Sequence, residues 1–226
     1  MRSPALVLSA LAVLAISSSP ASAQEGDVFL KVAVGGSYPM MAELEDELRR
    51  QGEEMFGAGY GIGVSLGKLA WNRTFGAELY FAVSRYPDFY FENEHDTFDG
   101  QVVHYDFMVL GKRNLLPGSE RFRPWLGVGL GYGYSNIARS NGRNAGFQGM
   151  AAIQVESRVR HNLAVFAEFV YISALSRNEY DSTFLEGSAY DSITGSDGEP
   201  LSERFMSADL RIGITAWLSP RDRYGD

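Results

Sequence analysis

The chain has no cysteine. That excludes disulfides, thiolate catalysis, cysteine-based metal sites and a lipid-modified N-terminal cysteine. Beyond the N-terminus, no stretch approaches the ~18 apolar residues of a membrane-spanning helix. Bases are in the minority: 20 lysines and arginines stand against 28 acids, a formal charge of −8. Such a chain is a poor partner for nucleic acid. No glycine-rich loop opens a helix to cradle a phosphate, and no D-x-D-x-D-G spacing provides a specific site for a divalent cation. No metal site and no cofactor is expected.

The N-terminus reads as a secretory signal peptide over residues 1–23. Arg2 is its positive region, residues 5–16 its apolar core, and Ala21-Ser22-Ala23 an A-x-A cleavage site. The mature chain then starts at Gln24. It is long enough for one domain and short for two.

What is abundant is glycine, and its spacing is regular. In the stretch PWLGVGLGYGYS, residues 124–135, Gly127, Gly129, Gly131 and Gly133 alternate with Leu126, Val128, Leu130, Tyr132 and Tyr134. A period of two is that of an extended strand, whose side chains alternate between faces. Glycine weakens a strand interior, so its regular use asks for a reason. The reason read here is a bare face that leaves room for bulky neighbours inside a closed barrel. The same alternation recurs in residues 28–38, 58–68, 74–86, 101–113, 147–159, 163–173 and 204–218, eight segments in all. Each reaches the ~9–11 residues that a tilted membrane-spanning strand needs.

Long and short connections alternate between these segments. Residues 40–56, 87–100, 136–146 and 174–203 are long; the turns at 71–73, 114–120 and 161–162 are short. Within 40–56, Met41, Leu44, Leu48 and Met55 have helix-like spacing and predict a short helix. The pattern predicts an all-β, eight-stranded antiparallel up-and-down transmembrane barrel over residues 24–218, with a polar tail at 219–226.

Alternation alone leaves open whether the apolar face points outward to lipid or inward, as in a soluble lipocalin-like binding barrel. Three features favour lipid. The glycines share the charged face, which suits a crowded interior. Aromatics cluster near strand ends: Tyr38, Tyr60, Tyr86, Tyr134 and Phe205 by the long connections, and Trp71, Phe75, Phe122 and Trp217 by the short turns. Charge is also polarised. The connection 40–56 has six acids and two arginines, 87–100 has five acids and no lysine or arginine, and 174–203 has seven acids and one arginine. The short-turn end instead carries Lys68, Arg73, Lys112, Arg113, Arg121, Arg123, Arg158 and Arg160. With the polar face inward, the interior receives a charge network of Lys31, Glu78, His104, Asp106, Glu156, Arg158, Glu168, Asp209 and Arg211. Its expected role is structural, since an eight-stranded barrel is just wide enough for side chains to fill.

These features resemble the small eight-stranded outer-membrane barrels: the OmpA transmembrane domain, OmpX and Ail, the opacity proteins and OmpW. The resemblance rests on the signal peptide, the strand count, the alternating connections, the glycine–aromatic stretch and the last strand. There Arg211, Gly213, Ala216 and Leu218 are similar to the terminal signal read by the barrel-assembly machinery. The resemblance implies an outer-membrane, monomeric protein of a diderm bacterium, in contact with lipid and lipopolysaccharide. It implies no single activity, because relatives include adhesins, integrity proteins and narrow pores.

Arg139 and Arg143 stand in the connection 136–146, placed to meet lipopolysaccharide phosphates. The one candidate for catalysis is His95, between Glu94 and Asp96, with Ser84 nearby in sequence. An acidic-loop histidine is more often solvated, and no enzyme activity is expected. The functional expectation is a non-enzymatic envelope or surface-interaction role. A narrow passage for small or apolar solutes and a soluble binding barrel are the alternatives.

Overall fold

The period-two segments form strands in a computed structural model of the chain. It describes residues 28–50, 57–70, 73–92, 97–119, 121–138, 142–160, 162–179, 198–199 and 202–218. The strands are β1 (Val28–Pro39), β2 (Gly59–Ala70), β3 (Phe75–Glu92), β4 (Thr97–Asn114), β5 (Phe122–Ala138), β6 (Gly142–Arg160), β7 (Leu163–Ala174), β8 (Asn178–Glu179), β9 (Ser202–Glu203) and β10 (Met206–Trp217). One helix, α1 (Ala42–Arg50), lies in the first connection where the spacing predicts it. Eight strands close in the order β1-β10-β7-β6-β5-β4-β3-β2, with every neighbouring pair antiparallel. The fold expectation is therefore met. Strands β8 and β9 form a separate two-stranded sheet. Among the described residues no helix is long and apolar enough to cross a membrane.

Two predicted connections are shorter than expected. Residues 87–92 and 97–100 extend the β3–β4 hairpin as far as the pair Glu92↔Thr97, and 136–138 and 142–146 extend β5–β6 as far as Ile137↔Gly142. Acidic and polar composition suggested loops there. Phe89, Tyr90, Phe91 and Phe98 have strong strand preference, however, and ladder hydrogen bonds do not require an apolar face. Strands β3 to β6 consequently run 17 to 19 residues, against 12 in β1, β2, β7 and β10.

The alternating faces divide inside from outside. Lys31, Glu78, Asp106, Glu168 and Arg211 are buried, while Leu30, Leu79, Phe107, Phe169 and Ile212, their chain neighbours, are exposed. The outward residues form an apolar wall whose most exposed members, Leu210 and Val128, are 66% and 65% accessible. Free apolar surface on this scale marks contact with something apolar.

The bare glycine face makes room inside, as its spacing suggested. A Cβ on Gly63 would lie 3.1 Å from an Arg211 guanidinium nitrogen and 3.5 Å from the Tyr80 ring. A Cβ on Gly213 would lie 2.6 Å from the Phe166 ring, and one on Gly133 would overlap the Gln148 side chain. The large interior side chains sit over the small residues.

The aromatic girdles need correction. Tyr38, Tyr60, Phe75 and Phe122 are exposed on the outer face as expected, and Tyr134 is half-buried. Tyr86, Phe205 and Trp217 are buried. Tyr86 and Trp217 share the parity of Glu78 and Arg211, so strand geometry turns them inward whatever their chemistry. Trp71 lies outside the described residues.

Candidate functional site

The strands aim their polar faces at a common axis, and the side chains fill it in successive zones. At the short-turn end, Phe29, Leu69, Trp125 and Trp217 form an aromatic plug, with the Phe29 and Trp217 centroids 5.3 Å apart. Lys112 Nζ lies 4.6 Å from the Phe29 ring centre and 4.7 Å from that of Trp125, within cation–π range.

A charge cluster follows. Lys31 Nζ donates to Gln154 Oε1 at 2.9 Å, Glu168 Oε2 at 3.1 Å and Glu78 Oε2 at 3.3 Å. The other Glu78 oxygen pairs with Lys112. Glu156 faces Arg123 at 3.6 Å. Next comes an apolar zone of Tyr80, Ala82, Met108, Leu110, Met150, Ala152, Val170 and Ile172.

The last zone, towards the long connections, is polar again. Asp209 pairs with Arg211 and accepts from Ser37 Oγ at 2.5 Å; the Tyr86 hydroxyl lies 2.8 Å from that Oγ. His104 bridges Ser135 Oγ, 2.7 Å from Nδ1, and Asp106 Oδ1, 2.9 Å from Nε2. Phe205 stacks on its imidazole with centroids 3.6 Å apart.

Of the sequence-predicted network, Lys31, Glu78, His104, Asp106, Glu156, Glu168, Asp209 and Arg211 lie in this interior. They form separate clusters rather than one. Arg158 does not join them. It is half-exposed beside a register shift at the end of β6, and its Nε donates to the Arg160 carbonyl at 3.1 Å. The strand pairing has become irregular there, and the guanidinium serves the turn instead. Conversely, Lys112 and Arg123, read above as part of a turn-end basic fringe, are buried. Each has the parity of its strand's inward residues, which was the signal that marks them. Gln148, Gln154, Ser37 and Ser135 were legible by the same parity but carry no charge to draw attention.

The order Ser135–His104–Asp106 is chemically that of an activated hydroxyl. Ser135 is only 1% exposed and Phe205 covers the ring, so no substrate reaches the hydroxyl in this conformation. The hydrogen bonds make it a packing network. Ser84 is buried too, and His95 and Arg139 lie outside the described residues. Arg143 is half-buried on β6, where it pairs with Asn136. Among the described residues no group of three or more histidines and acids is placed to hold a metal ion.

At the long-connection end, α1 is docked by a residue from far along the chain. Glu203 on β9 accepts from the Glu43 amide at 3.1 Å and the Leu44 amide at 3.0 Å, capping the helix N-terminus. Met41, Leu44 and Leu48 are wholly buried. Burial pushes the Glu203 carboxyl up to about 7, helped by nearby Glu43 and opposed by the backbone donors. A raised carboxyl favours the docked state while it is protonated in both states. That advantage is lost as pH rises from the ordinary glutamate value through 7. Tryptic cleavage after Arg49 or Arg50 is therefore expected to accelerate between about pH 5 and about pH 8 more in the wild type than in Glu203→Gln. Equal pH dependence in the two proteins would refute the clamp.

No protein-family model matches the chain, and no curated protein matches its sequence. Solved structures do match. Neisserial surface protein A superposes with a TM-score of 0.52 at 9% identity, covering 84% of this chain and 96% of that one. The outer membrane protein OprG from Pseudomonas aeruginosa superposes with a TM-score of 0.55 at 10% identity, covering 87% and 98%. The chain thus shares the fold of the small eight-stranded outer-membrane β-barrels.

Proposed function

We propose that this protein is an integral barrel of a bacterial outer membrane, exported through a signal peptide removed after Ala23. Its role is non-enzymatic: it supports envelope integrity or makes surface interactions through its long-connection end. The observation that carries this reading is the pairing of an exposed apolar wall with an interior filled by ion-paired and closely packed side chains. Soluble barrels of the lipocalin kind use the opposite arrangement, keeping their apolar face for a ligand.

Membrane lipid and lipopolysaccharide are the expected surroundings. Arg143, with Arg139 beside it in sequence, meets phosphates near the β5–β6 tip. The assembly machinery reads Arg211, Gly213 and Ala216 on the strand that closes against β1, and Leu218 just after it. The barrel acts as a monomer.

The aromatic plug and the apolar zone place buried side chains across the barrel interior, which favours a closed barrel. Planar-bilayer recordings of the purified barrel are expected to give no steady single-channel conductance. A steady conductance would instead favour a narrow solute passage.

A further inference from the structure

A groove of about 380 Å³ is cut into the outer wall where β2, β3 and β4 approach the long connections. Its lining is Tyr60, Ile62, Val83, Arg85, Gln101 and Val103. The size lies within the range of about 300–1,000 Å³ that holds small ligands. The register orders the lining by height. Tyr60 pairs with Arg85, and Arg85 with Val103; one step towards the short turns, Ile62 pairs with Val83. The polar lining is therefore at the upper end and the apolar lining continues downward into the wall, towards exposed Val64 and Phe81.

The groove has a structural cause. The β3–β4 pairing shifts register between Arg85 and Asp88. Such irregularities bend a strand and re-aim its side chains. Here the exposed Arg85 side chain stands at the upper end of an apolar furrow. Among the described residues no carboxylate pairs with it.

We infer that this groove seats one acyl chain of a phosphorylated outer-leaflet lipid, with the Arg85 guanidinium on its phosphate and the Tyr60 ring beside its neck. The inference rests on the membrane reading above and names a lipid site within it. An amphiphile with an anionic head and a hydrocarbon tail matches the lining in the same order, charge above and apolar surface below. Arginine suits phosphate because its planar fork can donate two parallel hydrogen bonds. Tyrosine suits the interface, where one end is apolar and the other polar. A second copy of this chain is a worse occupant, because a two-fold contact centred on this groove places two Arg85 side chains near one another.

The test uses the full mature barrel, refolded in neutral detergent and titrated with lipid A or with lipid A stripped of its phosphates, bound lipid being read by native mass spectrometry. Folding is checked first by the shift of the unboiled band on a gel. Wild type is expected to bind lipid A at least about tenfold tighter than the dephosphorylated form, the size of one charge-assisted contact. Arg85→Gln is expected to lose that preference. The groove-filling Val83→Trp is expected to weaken both lipids alike. Equal binding of lipid A to wild type and Arg85→Gln would overturn the site while leaving the membrane barrel intact. Failure of the wild type to enter bilayers as a heat-shifting species would instead overturn the membrane reading, and the lipid site with it.

Discussion

Replacing Glu78 by glutamine is expected to destabilise the folded barrel by about 3–5 kcal/mol, the usual cost of removing one partner from a buried ion pair. Glu78 stands between two ammonium groups, with Lys31 at 3.3 Å on one oxygen and Lys112 on the other. Without its charge, Lys31 retains Glu168 at 3.1 Å, but Lys112 loses its direct carboxylate partner in a site walled by Phe29 and Trp125. The two cations then repel each other with little solvent between them. Adding Lys112→Met to Glu78→Gln is expected to recover most of the loss, because it removes the stranded charge. The measurement is the urea midpoint of the refolded barrel, taken from the fraction of protein in the faster-running unboiled band. A loss below about 1 kcal/mol is what exposed pairs give, and would mean that water reaches these charges. That result would count against a filled interior and in favour of a passage.

Val128→Arg is the second large effect, and it tests the outer wall. Val128 lies in the middle of β5, exposed between the outward neighbours Leu126 and Leu130. An arginine at the midplane of the lipid face of a membrane barrel costs about 2–4 kcal/mol. The same change on a water-facing wall is within about ±0.5 kcal/mol. The control is Leu116→Arg, on an exposed residue in the turn between β4 and β5, where the cost is expected to be small. Folding equilibria in bilayers of matched thickness separate the two. Equal, small effects at both positions would mean that β5 meets water.

The eight strands, their order along the chain and their faces were legible because one physical constraint repeats in every segment. A strand wall between two environments forces alternation, and glycine took the crowded side. Parity also held the information that Lys112, Arg123, Tyr86 and Trp217 face inward. Reading charge and aromaticity by position along the strand, rather than by parity, put them at the rim. Partners were not legible. Parity says that Lys31, Glu78 and Glu168 share the interior, but their meeting depends on the register of β1, β3 and β7 around a closed barrel. The Glu203 clamp is harder still, since it joins residues about 160 positions apart through a two-residue strand with no pattern of its own. The long β3–β4 and β5–β6 hairpins were hidden for another reason. Beyond the apolar wall nothing imposes alternation, so a strand there has the composition of a loop.

The exposed apolar wall is proposed to face a membrane. The most direct test is a gel of boiled against unboiled protein from detergent-extracted envelopes, alongside the soluble fraction. A membrane-facing wall gives a faster-running unboiled band, found only in the detergent-extracted outer-membrane fraction. Protein in the soluble fraction, with no shift on boiling, would contradict it and turn the apolar wall into a surface that some soluble partner must cover.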